Sequence, residues 1–207
     1  QQTRQDFQFF DPEWPTHAII QYGVRNGQSV TQDEWDDASY VQGSRIRHAD
    51  VWGNHGIVFN LGHGMPVVND EYGYMGEPED RSEADSPVFT RLKHRQVMWG
   101  IAAAGGYGSA GDKNMYADGR PYFSANWHDD PPEYRDIRHL VDFFTTKGIA
   151  YWTMASHNAL VQAGTRVYAL AEPGRQYVFY AAVGGRFTVH LDPGTYEARL
   201  YNPRSGE

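Results

Sequence analysis

The last fifty residues of this chain change texture in a way that few folds can produce. Residues 166–170, 176–181, 186–191 and 195–201 each alternate apolar and other residues with period two. They are separated by Glu172-Pro173-Gly174, by Gly184-Gly185 and by Asp192-Pro193-Gly194. Pro-Gly suits positions i+1 and i+2 of a type II turn, and Gly-Gly suits a two-residue hairpin. Four strands at roughly ten-residue spacing predict an antiparallel β module over residues 155–207. It ends on Asn202-Pro203-Arg204-Ser205-Gly206-Glu207, a turn with no strand after it, so one or more further strands are expected to complete a small β-sandwich.

Ahead of residue 155 the pattern alternates strand and helix, the signature of an α/β fold. Residues 17–22 read as a short β-branched strand, and 65–69 as a near-continuous apolar strand of the kind buried in a parallel sheet. A helix is expected within the polar stretch 26–50, around 36–48. Another spans about 87–104, with Val88, Leu92 and Trp99 as its stripe and Phe89 and Val97 beside it. The clearest helix covers 133–147: Ile137, Leu140, Val141 and Phe144 fall at i, i+3, i+4 and i+7, and Gly148 supplies the stop. Tyr151, Trp152 and Met154 fall at the junction with the β module, where apolar bulk would join the two parts.

Composition narrows the partners. A net charge of −8 argues against a polyanion such as nucleic acid, which calls for a basic face. No apolar run is long enough to span a bilayer, so no membrane insertion is expected. Without cysteine there is no disulfide framework and no thiolate nucleophile. None of the 9 histidines falls in a close ligand pair, and residues 112–119 lack the Gly and Glu offsets of a calcium loop; no metal and no cofactor is expected. The 6 Trp, 14 Tyr and 10 Phe admit two explanations, an aromatic core or the flat faces of a sugar-binding cleft.

The densest candidate for chemistry is Met65-Pro-Val-Val-Asn-Asp-Glu-Tyr-Gly-Tyr74. A buried strand here delivers Asn69, Asp70 and Glu71 to its C-terminal end, where a parallel α/β barrel holds its catalytic groups. Adjacent carboxylates beside Tyr72 and Tyr74 could tune each other's protonation. The plainer alternative is a polar turn whose carboxylates cap the next helix. His55 and His63, in loops leading to this strand, could line a cleft or be ordinary loop histidines. The glycines of 105–111 lack the spacing and the Lys-Ser/Thr pair of a phosphate cradle, and fit better a tight strand where backbones approach closely. Tyr107, and Trp127 in a later loop, are candidate sugar-facing aromatics; Trp127 could equally anchor its loop.

Pro66-Val-Val-Asn-Asp-Glu-Tyr-Gly-Tyr74, Trp99-Gly-x-x-Ala-Ala-Gly-Gly-Tyr-Gly108 and Tyr151-Trp152-x-Met154 together resemble the second half of apiosidase-like glycoside hydrolases. The tail, from Ala171-Glu-Pro-Gly-Arg-Gln-Tyr-Val-Phe-Tyr180 through Asp192-Pro-Gly-Thr-Tyr196 to Glu207, resembles the small β-domain that follows those barrels. That domain is sometimes named for collagen binding, although nothing here reads a triple helix. The resemblance implies the second half of a (β/α)8 barrel over residues 1–154, followed by a β-sandwich over 155–207, in a secreted or periplasmic enzyme acting on a plant or microbial saccharide. A whole barrel takes about 250 residues, so the other half is expected as a preceding segment or a separate chain. Glu71 matches the family's late-strand carboxylate, and the second carboxylate is expected upstream of Gln1. Asn69, Asp70, Tyr72, Tyr74, His55, His63, Tyr107 and Trp127 would bind the sugar. A non-catalytic carbohydrate- or matrix-binding protein on the same scaffold is the alternative.

Overall fold

Val67 and Val68, β-branched and flanked by Pro66 and Asn69, form the strand that organises the front of the molecule. The computed structural model describes residues 17–20, 54, 56–62, 64–69, 91–108 and 132–207. Strands β1 (Ala18–Ile20), β2 (Val67–Asn69) and β3 (Tyr107–Gly108) form a parallel sheet in the order β1-β2-β3. Helices α1 (Gly56–Leu61) and α2 (Arg91–Ala103) precede β2 and β3, the crossover arrangement that parallel strands require.

Helix α2 ends where Gly105 takes φ +86, with Gly105 N–H donating to the Ala102 carbonyl and Gly106 N–H to that of Ile101. This is a Schellman stop, and it turns the chain straight into β3. Gly106 is a packing requirement: a Cβ there would lie 2.3 Å from Ile57 of α1.

Helix α3 (Pro132–Thr146) leads through a 3-10 turn (Tyr151–Thr153) into the rest of the chain. Strands β4 (Ala155–Ser156), β6 (Val167–Glu172) and β7 (Gln176–Ala181) form an antiparallel sheet in the order β4-β6-β7. A separate two-stranded sheet pairs β5 (Val161–Ala163) with β8 (Thr188–Val189). The β6–β7 hairpin turns at Pro173-Gly174, with Gly174 at φ +80 as a type II turn demands.

The second hairpin expected from the sequence does not form. The turn through Gly184 and Gly185 sends the chain away from β7, and β8 pairs with β5 instead. Of 186–191 only Thr188–Val189 is strand, and residues 195–201 make no ladder among the described residues despite their alternation. A period-two pattern fixes which side chains share a face, but not whether a neighbouring backbone is there to pair with.

The core lies between the two three-stranded sheets and is built around α2. Residues 97–104 of this segment are buried on every side, as a helix enclosed on all faces must be. Ile57 and Val67 belong to the same core cluster on the parallel-sheet side, and Tyr168 and Tyr180 on the antiparallel side. Leu92, in the first turn, escapes this enclosure and is 55% exposed, contrary to the predicted stripe. In α3, Val141 likewise points outward, and Phe143 joins Ile137 and Leu140 against the core. Trp99 sits at the centre of an aromatic cluster, with ring centroids 5.2 Å from Phe143, 5.8 Å from Tyr180 and 5.7 Å from Tyr201.

Two amides tie the antiparallel sheet to α2. Ala169 N–H of β6 donates to Asn158 Oδ1, Asn158 Nδ2 donates to Asn54 Oδ1 (2.8 Å), and Asn54 Nδ2 donates to the Gly100 carbonyl of α2 (3.0 Å). Asn54 is fully buried, so stranding its carbonyl oxygen should cost about 1–3 kcal/mol. Asn158→Ala is expected to lower the melting temperature by roughly 4–8 °C while leaving one cooperative transition in calorimetry. Two separated transitions would show that the β-rich part folds without the parallel sheet.

Candidate active site

Because β1, β2 and β3 run parallel and in register, their C-terminal ends coincide: Ile20 pairs with Asn69, and Asn69 with Gly108. The crevice beyond the carboxyl ends of parallel strands is where α/β folds bind ligands, since loops there are free to vary on a fixed support. Alternation then sorts the side chains. Val67 packs in the core, and a Cβ on Gly108 would lie 3.0 Å from Ile101 of α2. Asn69, two residues from Val67 and paired with Gly108, shares that helix-facing side. It is 0% exposed. Its side chain is thus enclosed on the helix side of the sheet. Val68 and Tyr107, paired with each other, take the opposite face, and Tyr107 is half exposed there.

The junction after α3 reaches this sheet through Tyr151. Its hydroxyl donates to the Gly106 carbonyl, immediately before Tyr107, and its ring meets Tyr107 edge-on at 5.7 Å. Burial, with the Tyr107 phenol adding to it, pushes the Tyr151 phenol well above its ordinary range, so it stays protonated and remains a donor. Met154 is buried with Leu170 and Val178. Trp152 is not: it is 81% exposed, because the 3-10 turn rotates it away from both sheets.

A charged cluster that the sequence reading missed lies between α2 and α3. Asp136 is fully buried and receives Arg91 in a two-pronged pair at 2.7 Å for each bond, with Arg95 at 3.1 Å. Burial alone would raise its pKa, but the hydrogen bonds from Arg91 and Arg95 outweigh it and hold the carboxylate below its usual range. His94, beside them and 1% exposed, is lowered to about 4 by desolvation, opposed by Asp136 and assisted by Arg95 and Arg91. The signal was legible: Arg91 and Arg95 are one helical turn apart, so both face one side of α2. Asp136 adjoins the apolar stripe of α3.

His55, His63, Asp70, Glu71, Tyr72, Tyr74 and Trp127 lie outside the described residues, as do the helix expected around 36–48 and residues 109–119. Among the described residues no group of three or more His, Asp or Glu side chains could hold a metal ion, and no helix is long and apolar enough to cross a membrane.

The sequence matches no protein-family profile and no curated protein. In structure, the chain is similar to the crystal structure of a glycoside hydrolase family 5 protein from Bacteroides vulgatus, with a TM-score of 0.61 at 16% identity. The likeness covers 88% of this chain and 41% of that one. At that identity it is a likeness of fold alone: the mixed helices and small sheets described above are consistent with part of such a fold.

Proposed function

We propose that this chain is part of a glycoside hydrolase whose catalytic carboxylate is Glu71. The observation that carries the reading is the parallel β1-β2-β3 sheet, whose middle strand ends at Asn69 and is followed directly in sequence by Asp70-Glu71. The fold likeness to a family 5 glycoside hydrolase supports it. On this reading residues 1–154 are the second half of a (β/α)8 barrel, and 155–207 a β-sandwich-type unit packed on it. The resemblance of its motifs to apiosidase-like enzymes supports a secreted or periplasmic enzyme of plant or microbial saccharides.

Hydrolysis needs two carboxyl groups flanking the glycosidic bond, about 5–5.5 Å apart for retention of configuration and wider for inversion. Glu71 attacks the anomeric carbon in the first case and activates water in the second; the acid/base partner comes from the remainder of the barrel. Asp70 orients the sugar, and Tyr72, Tyr74, Tyr107 and Trp127 line the pocket with His55 and His63. Asn69, enclosed on the helix side, supports the strand end.

A second reading, a non-catalytic carbohydrate-binding protein, is favoured by one observation. On β7, Tyr177 and Phe179 lie parallel at 6.2 Å, continued by Phe187 at one end and Tyr196 at the other, both more than a third exposed. The test is incubation of the full-length protein with a panel of plant and microbial oligosaccharides, following reducing ends and binding in parallel. New reducing ends are the expected result; binding without cleavage across the panel would favour the second reading.

A further inference from the structure

We propose that Tyr151 is a positioning residue for Tyr107, holding that ring on the substrate side of the parallel sheet from the junction with the β-rich unit; the proposal rests on the glycosidase reading. Tyr107 occupies the face of β3 opposite the helices and is half exposed, so its ring and phenol are free to meet a sugar's C–H face and hydroxyl. A half-exposed side chain on a two-residue strand needs a brace to keep one orientation. Tyr151 supplies two contacts at once: its hydroxyl on the Gly106 carbonyl fixes the backbone entering β3, and its ring edge fixes the Tyr107 ring.

Tyr151 can do this because it is itself held. Its ring packs edge-on against Phe144 of α3 at 4.8 Å, with 67° between the planes. The Gln176 side chain bridges the backbone just before it, accepting from Ala150 N–H and donating to the Gly148 carbonyl. Thr153 closes the other side of the turn, bonded to the Ala150 carbonyl and to Glu172. Gln176 and Glu172 belong to the β6–β7 hairpin. The antiparallel sheet thus sets the turn, the turn sets Tyr151, and Tyr151 sets Tyr107.

A merely structural tyrosine would behave like Tyr201, whose hydroxyl also donates to a backbone carbonyl, that of His139 (2.9 Å), and whose ring packs on Trp99 and Phe143. The test compares Tyr151→Phe and Tyr151→Leu with Tyr201→Phe in the full-length protein, with 3-fluorotyrosine at position 107. The fluorine resonance should be single in the parent and in Tyr201→Phe. It should shift in Tyr151→Phe, and broaden or split in Tyr151→Leu. In hydrolysis, Tyr151→Phe should raise KM roughly fivefold with kcat nearly unchanged, the mark of lost uniform binding, while Tyr201→Phe leaves both alone. A residue-107 resonance that is identical in all four proteins overturns the proposal. A parent that cleaves no saccharide counts against the glycosidase reading, and the resonance still decides whether Tyr151 positions Tyr107.

Discussion

Turnover is expected to fall by at least about a thousandfold when Glu71 is replaced by Gln in the full-length protein, a loss of roughly 4 kcal/mol in transition-state stabilisation. The amide keeps the shape of the side chain and removes the charge that, on the proposed reading, attacks the anomeric carbon or activates water. Binding should change far less, because stacking and hydroxyl contacts act on the ground state as well. The pairing of kinetics with affinity matters here. A loss of turnover with affinity intact marks a catalytic carboxylate; a parallel loss of both would mark a residue that only holds the sugar. Retention of near parental turnover by Glu71→Gln would remove Glu71 from the mechanism.

The largest effect on stability is expected at Asp136. Its buried carboxylate faces Arg91, 37% exposed, and Arg95, 13% exposed. Asp136→Ala removes the carboxylate that both guanidinium groups share, and breaking a buried pair from one side costs about 3–5 kcal/mol. Arg91 can turn to solvent, which puts the expectation near the lower figure, or a fall in melting temperature of roughly 6–12 °C. The acid limb of the stability curve follows from the same neighbourhood. His94 is lowered in the folded state from 6.5 to about 4, so its neutral form contributes stability that is fully present above the unfolded value and is lost as pH falls from 6.5 through about 4. The lowered Asp136 adds a loss of the same sign at still lower pH. Melting curves of the parent and Asp136→Ala from about pH 2.5 to 8 measure both; equal melting temperatures at pH 7 would refute the role given to the cluster.

Elements whose signals are local were legible in the sequence. β7 falls on Gln176–Ala181, the span its alternation and the preceding Pro-Gly turn define, and the bounds of α3 match those expected from its spacing and Gly148 stop to within a residue. What escaped was settled by distant neighbours. Nothing in the alternation of 186–191 says that its partner is β5, some twenty-five residues earlier and in another sheet. Val141 satisfies the helical spacing yet faces solvent, because the groove beside α3 admits Phe143. Asn54 and Asn158 look like ordinary polar residues, and only a contact across 104 positions reveals them as a buried link. For the candidate site, the strand leading to Asn69 could be read from its apolar run. The side on which Asn69 lies could not, since that depends on which face α1 and α2 cover.

Helix α2 has a consequence for how such a protein can be inherited. With a sheet against each flank, its second half has no surface left over for private use. A substitution at Trp99 or Met98 is tried against two neighbourhoods at once, and a change that suits one is rejected by the other. The β-rich segment is therefore a poor candidate for exchange between genes: a replacement would have to arrive already fitted to the contour of this helix. Descendants of the ancestral pairing should keep both parts in this order and vary instead at loop tips, where a mutation answers to water alone.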